Sequence, residues 1–441
     1  MRSDDTIVAL SSGSVPSGVA IIRFSGPAAG RVLIEMLGAL PEPRRLTLAD
    51  IRLDGETLDR GLIAWMPGPN SFTGEDCAEL QVHGSPAVVR VILRRLSSQS
   101  GIRLAEAGEF TRRAFENGKL DLVEAQGLGD LIEAETENQR ALAYSRMEGG
   151  LTRQVEGWRE RLLDLRAEIE AQLDFSDEGD VGALPDTFAA EVEALNDDIG
   201  DVLATRGQGR ILRSGFRVVL AGPPNAGKSS LLNALSRSEV AIVSDEPGTT
   251  RDLKEAPLDV HGQLIILIDS AGLRDTSSKA EAIGVERAKQ AMIGADQVLW
   301  LQAPDIAAVL PPIFPEFDTE PWRRPPIMIV GTKADIGLVE GAHLSVSVTT
   351  GEGIEALLDK LYEVSGAGSV QASELLVSHE RDREALLGAV MALARVSEQL
   401  DNPELAAEEL RAASYALERL LGRMDAESVL DRLFSAFCIG K

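Results

Sequence analysis

The stretch GPPNAGKSS, from Gly222 to Ser230, has the spacing G-x-x-x-x-G-K-[ST], with the apolar run RVVLA leading in and the helix-like run SSLLNAL leading out. Glycines at those positions let successive backbone N–H groups turn toward one anion. The chemistry is phosphate binding: the Lys228 ammonium reaches the outer phosphates, and the Ser229 hydroxyl suits magnesium. Asn225, Ala226, Gly227, Lys228, Ser229 and Ser230 are the candidate phosphate contacts, and Lys228 is a candidate catalytic group.

Three more short motifs follow in the chain order of a guanine-nucleotide switch. PGTTRD at 247–252 supplies Thr250, a hydroxyl that can meet magnesium only while the third phosphate is present. DSAG at 269–272 ends an apolar run, which places Asp269 near the metal and Gly272 beside that phosphate. TKAD at 332–335 offers Thr332, Lys333 and Asp335 to the base. A buried carboxylate at Asp335 can accept both N–H groups on one edge of guanine, and adenine lacks that pair of donors. SVTTGEG at 347–353 is a looser match for the remaining base loop, with Ser347, Val348 and Thr349 as contacts. Each motif is weak alone, whereas four in order at strand ends are specific.

One position is conspicuous for what it lacks. Many GTPases place glutamine directly after D-x-x-G to orient the attacking water, but here the residue is Leu273, which has no hydrogen-bonding group. Glu281 is the acidic candidate on the segment that follows, although spacing alone reads it as a solvated helix residue. The ending AFCIGK puts Cys438 at a prenylation position, yet Gly440 and Lys441 are not the aliphatic pattern that signal needs.

Positioning these residues requires alternating strands and helices. Residues 211–367 alternate the apolar strands FRVVLAG, LIILIDSAG, DQVLWLQ and IMIVGTK with helical segments, which predicts a mostly parallel, doubly wound sheet. Residues 1–118 alternate runs such as GVAIIRFSG and LIAWMPG with turns and the helical AVVRVILRRL, a compact α/β domain. From Lys119 to about Phe175 the pattern is helical, with Met147, Leu151, Val155, Trp158, Leu162, Leu165, Ile169 and Leu173 as one apolar stripe. After GAGS at 366–369 the chain is helical again. The expectation is a multidomain α/β and all-α protein: residues 1–118, a helical domain split into 119–210 and 368–441, and a nucleotide domain at 211–367 inserted in it.

Composition excludes several classes. The 441 residues are 44% hydrophobic and 26% charged, with no apolar run near the ~18 residues of a membrane span. Two cysteines, Cys77 and Cys438, build no disulfide framework, and the start MRSDDTIV carries no apolar signal core. A cytoplasmic protein is expected. The net charge of -26 argues against tight nucleic-acid binding by the chain alone. Residues 1–120 hold 14 acidic and 14 basic side chains, so the excess lies downstream and any nucleic-acid contact belongs with the neutral part or a basic partner.

The nucleotide motifs with Leu273, the amino-terminal FTGEDCAEL and KLDLVEAQ, and the terminal FCIGK resemble the MnmE (TrmE) family of tRNA modification GTPases over nearly the whole chain. The resemblance implies an amino-terminal domain that dimerises and binds a tetrahydrofolate one-carbon derivative, a helical domain and an inserted Ras-like P-loop G domain. It implies GTP hydrolysis activated by potassium, held by Asn225 with Ser244, Glu246 and Thr249, where Ser244 and Thr249 also touch GTP. Magnesium falls to Ser229 and Thr250. The resemblance turns Glu281 into the water-positioning residue, and makes Arg23, Glu79, Lys119 and Lys441 folate contacts and Cys438 a reactive thiol. A homodimer working with the FAD-dependent protein MnmG, as a heterotetramer, would add an aminomethyl or carboxymethylaminomethyl group to C5 of the wobble uridine of certain tRNAs, with no membrane involved. The rival reading is a ribosome-assembly GTPase switch, which has no use for the amino-terminal segment or the FCIGK tail. Thr332 departs from the family's usual asparagine, SVSVTTGEG departs from its SA dipeptide at Ser347 and Val348, and the proline-rich 303–326 reads as a surface excursion.

Overall fold

The structure is a computed structural model of the chain. It describes residues 5–174, 184–185, 187–242, 255–269, 294–309, 325–366, 368, 371–424, 430, 433–435, 437 and 439–440. The chain groups into two compact units, Met1–Gly129 with Ser414–Lys441, and Asp130–Ala413.

The first unit is built on a six-stranded sheet of order β3-β4-β5-β2-β1-β6. The strands are β1 (Thr6–Leu10), β2 (Ser17–Ser25), β3 (Thr47–Leu53), β4 (Glu56–Met66), β5 (Cys77–Gly84) and β6 (Ile102–Leu104). All pair antiparallel except β1 with β6. Alternation along β2 turns Ala20, Ile22 and Phe24 to one face, as the two-residue strand period requires. There they meet Val32, Leu33 and Met36 of α1 (Ala29–Leu37) and Val89, Ile92 and Leu96 of α2 (Pro86–Ser97). On the other face Ile7 and Ala9 join Phe110 of α3 (Glu109–Glu116).

The helices that follow are α4 (Leu122–Glu133), α5 (Glu137–Met147) and α6 (Gly150–Asp174). The expected stripe divides here. Met147 ends α5, and Gly149, at φ 76°, breaks the chain before Leu151 opens the buried face of α6. Glycine carries that left-handed backbone without steric cost, so one apolar stripe in sequence serves two helices.

The second unit contains a six-stranded sheet of order β12-β11-β10-β7-β9-β8. Its strands are β7 (Phe216–Ala221), β8 (Glu255–Val260), β9 (Gln263–Asp269), β10 (Gln297–Gln302), β11 (Ile327–Gly331) and β12 (Leu344–Ser345). Only β8 runs antiparallel. Every residue of β10 is buried, the mark of a strand covered on both faces. Around it lie α9 (Lys228–Leu235) and α10 (Ile354–Val364). The helical part of this unit packs α7 (Phe188–Ala204) along α11 (Glu380–Glu398), which come from opposite sides of that sheet in sequence. This unit also holds α8 (Arg206–Ser214), and the division between the units falls within α12 (Pro403–Leu420), after Ala413. No helix among the described residues is long and apolar enough to cross a membrane.

Candidate nucleotide site and amino-terminal polar site

Strand β7 ends at Ala221 and α9 begins at Lys228, so residues 222–227 form a loop whose amides face the positive end of a helix dipole. Three residues of the loop have positive φ: Gly222 at 138°, Asn225 at 64° and Gly227 at 88°. At Gly222 a side chain would run into the Leu301 carbonyl of β10, which is why glycine stands there. Lys228 is buried, and its Nζ donates to the carbonyls of Gly222 (2.9 Å) and Pro223 (2.8 Å), which stretches it along the loop. The parallel register of β7 and β9 sets Leu220 beside Asp269. As a result the Ser229 hydroxyl donates to Asp269 Oδ2 at 2.7 Å, and two hard oxygens suited to magnesium lie together.

The base side of this loop is a cavity of about 250 Å³ lined by Gly227, Ser230, Thr332, Lys333, Asp335 and Val348, among others. Thr332 is buried, and its hydroxyl reaches the Ala226 carbonyl at 2.8 Å and the Gln302 carbonyl at 3.2 Å. A hydroxyl has one proton, so it donates to one of these at a time. Thr332 therefore ties the TKAD segment to the phosphate loop, a tie that needs only one donor. Ser347 is fully buried and donates to Asp335 Oδ1 at 2.5 Å, while its own oxygen accepts from the Thr349 and Thr350 N–H groups. Its side chain thus faces Asp335 rather than the cavity, and Val348 and Thr349 line the cavity instead. Lys333, at φ 55°, lies against Asp305 at 2.6 Å. Asp305 was not legible as a site residue, because it stands 28 positions away and follows no motif.

Several predicted residues lie outside the described ones: Ser244, Glu246, Thr249, Thr250, Gly272, Leu273 and Glu281 in the nucleotide segment, and Cys438 and Lys441 at the tail.

In the first unit Arg23 and Glu79 sit opposite each other on β2 and β5. Arg23 Nε donates to Glu79 Oε1 at 2.9 Å, and both side chains keep part of their surface open, 27% and 17%. The Arg23 guanidinium also lies 5.8 Å from the ring centres of Phe72 and Phe110, within cation–π range. Lys119 is exposed and passes against Gly74, two residues from Phe72, without an ion pair among the described residues. The structure therefore pairs Arg23 with Glu79 and brings Lys119 to the same loop, not into direct contact.

Beneath this lies a polar network that no spacing announced. Glu75 accepts from Ser25 Oγ at 2.6 Å and from Arg113 at 3.1 Å, and Arg113 in turn bonds Glu109. Burial opposes charge on Glu109, but hydrogen bonds from Arg103 and the Glu106 N–H hold its carboxyl below the ordinary range. Cys77 is buried between Thr73 and Ser25, so its thiol faces this network. The contacts that join its parts, Ser25 to Glu75, Glu75 to Arg113 and Ser25 to Cys77, span 50, 38 and 52 residues of sequence, which is why pattern reading misses them.

The carboxyl-terminal segment belongs to this unit. Leu430 and Phe434 pack with Leu122 and Ala125, and Leu433 and Phe437 join them. Ile439 forms an antiparallel bridge with Ala107. Gly440, at φ 101°, lies against the Leu10 carbonyl and Ser11. Leu10 pairs with Ile22 and Ala9 with Arg23, so the residues around Cys438 reach the strand next to Arg23.

Comparison with known proteins agrees with this architecture. The family description "GTP-binding protein TrmE N-terminus" matches residues 6–119, and "MnmE helical domain" matches residues 122–438. A protein of Rhizobium johnstonii named tRNA modification GTPase MnmE is 46% identical over 442 residues, covering 99% of each chain. One of the same name from Methylobacterium radiotolerans is 47% identical over 451 residues, covering all of both. Among solved structures, the G domain of the T. maritima FeoB iron transporter matches 34% of this chain and 98% of its own at 26% identity, with a TM-score of 0.23, too weak a likeness to carry an argument. With the parallel nucleotide-type sheet, the amino-terminal sheet and a full-length match at 46–47% identity, the chain belongs to the MnmE (TrmE) family of tRNA modification GTPases.

Proposed function

We propose that this chain hydrolyses GTP and that the hydrolysis cycle drives a folate-dependent modification of the wobble uridine of tRNA. The observation that carries the first half is the joined base and phosphate cradle: Asp335 fixed by Ser347 at one end, Thr332 tied to Ala226 in the middle, and Lys228 and the Ser229–Asp269 pair at the other. Asp335 Oδ2 is left to accept from guanine, which sets the choice of base. Lys228 balances charge on the outer phosphates as water attacks the terminal phosphorus and the bond to the bridging oxygen breaks, giving GDP and phosphate.

Ser229 and Asp269 fit magnesium, joined by Thr250. Asn225 is exposed on the loop, and its amide oxygen is of the type that suits a weakly hydrated monovalent cation, with Ser244, Glu246 and Thr249 completing the set. When bound, both ions supply positive charge beside the phosphates. Glu281 orients the attacking water, since Leu273 cannot.

The second half rests on the family and on the amino-terminal unit. Arg23 and Lys119, with Lys441, suit the carboxylates of a folate, and Glu79 suits the N–H edge of its pterin ring. The folate would supply the one-carbon unit, and Cys438 handles substrate beside it. The protein acts in the cytoplasm as a homodimer, with the FAD-dependent MnmG supplying redox chemistry and most of the tRNA contact. That division suits a chain of net charge -26.

Two measurements test these halves separately. Hydrolysis of GTP by the full-length protein should run at least about tenfold faster in potassium than in sodium at equal ionic strength; equal rates would remove the potassium mechanism. Cells lacking the protein should lose the aminomethyl and carboxymethylaminomethyl groups from wobble uridine, and unchanged wobble nucleosides would remove the modification reading.

A further inference from the structure

We propose that the outer face of α2, carrying Arg90 and Arg94, is a docking surface for the sugar-phosphate backbone of tRNA. The helix buries Val89, Ile92 and Leu96 and turns Arg90 and Arg94 outward, one turn apart and exposed. Neither makes an ion pair or a side-chain hydrogen bond among the described residues. Every other described arginine before Gly129 faces a carboxylate or, at Arg44, two backbone carbonyls. The neighbouring Arg95 is a case in point, held by Glu56 and Asp54.

Local stability does not account for the pair. Like charges four residues apart repel on a helix, so the arrangement costs helix stability rather than adding to it. Arg94 gains a little from the carboxyl-terminal end of the helix dipole, but Arg90 is too far from that end to share the gain.

Charge distribution selects the occupant. Residues 1–120 carry equal numbers of acidic and basic groups, 14 of each, while the rest of the chain holds the whole excess of -26. A polyanion is repelled by that remainder and meets its two unneutralised guanidinium groups on α2. Two such groups about 6 Å apart along a helix axis match successive phosphates of a strand and carry no means of reading bases.

The inference rests on the tRNA reading above, and the test separates the two. An unmodified tRNA transcript is titrated against the full-length protein over a series of potassium chloride concentrations. Arg90→Ala with Arg94→Ala should weaken binding and lower the slope of log K against log salt by about 1.4 to 1.8, some 0.7 to 0.9 per lost phosphate contact. Arg90→Lys with Arg94→Lys should keep most of the slope. GTP hydrolysis, hydrodynamic mass and melting temperature should not change. Wild-type binding with an unaltered double-alanine variant overturns this proposal alone. Weaker binding accompanied by a changed mass or melting temperature also overturns it, because the arginines then serve assembly or folding. A wild-type protein that binds no tRNA also overturns this proposal, whereas the tRNA reading stands or falls by the wobble nucleosides of cells lacking the protein.

Discussion

Thr332 shows what a single atom does at this site. Where the family usually has an asparagine, a hydroxyl holds the base segment to the Ala226 carbonyl and leaves no donor over for the base. Replacing it by the isosteric valine removes the tie and strands a buried carbonyl, at about 1–2 kcal/mol. Thr332→Val should therefore weaken guanine-nucleotide binding about tenfold, with guanine still preferred over xanthine because Asp335 is untouched. Titration with fluorescent GTP and XTP analogues checks this, and unchanged affinity would show that the tie is idle. Motif spacing named Thr332 and Asp335, because residue type alone suggests what they can bond. It did not show that Ser347 faces Asp335, since that depends on how the loop 347–353 folds back through the Glu352 carbonyl. Nor did it show Phe72 and Phe110 beside Arg23, which come together only once β2, the 72–75 loop and α3 are assembled.

At the scale of elements, the amino end of α11 is joined to α5 by a fully buried ion pair, Arg146 to Asp382 at 2.8 Å. Burial opposes charge on Asp382, but Arg146, His379 and Arg381 outweigh it and hold its carboxyl below the ordinary range. A carboxyl with a lowered folded value stabilises fully above its unfolded value of 3.8 and loses that contribution as pH falls through the folded one. Asp382→Asn should destabilise the protein by about 3–5 kcal/mol at neutral pH, the cost of leaving a buried cation without its carboxylate. It should also flatten the loss of stability below about pH 4, because the titrating group is gone. Urea unfolding at pH 7 and below pH 4 measures both, and an unchanged midpoint would mean that water reaches Arg146. Strands β2, β4, β7, β9, β10 and β11 were legible as apolar runs, whereas the other strands of the two sheets were not. The buried pair was not, because its members stand 236 residues apart and each reads as an ordinary surface charge.

At the scale of the whole molecule, the proposal separates GTP hydrolysis from wobble modification, and the carboxyl-terminal segment, packed in the first unit, is expected to bear on the second. Gly108 starts α3 at φ 66°, and a side chain there would lie 2.5 Å from the Phe434 carbonyl and 2.9 Å from its Cα. Both obstacles are backbone, so Gly108→Ala must displace the segment that carries Phe434 and, beyond it, Cys438. The left-handed backbone adds strain of about 1 kcal/mol, which a protein of this size tolerates. The residues proposed for GTP hydrolysis lie between Gly222 and Thr349, in the other unit, so its rate should persist in both Gly108→Ala and Cys438→Ser. Wobble modification should fall sharply in both, since the first moves the tail and the second removes its thiol. Parallel assays of phosphate release and wobble nucleosides decide the matter. Loss of both activities in Gly108→Ala with a lowered melting temperature would indicate unfolding instead. Retained modification in Cys438→Ser would reduce the thiol to packing, because a group that handles substrate cannot be replaced by a hydroxyl without changing the rate of the step it serves.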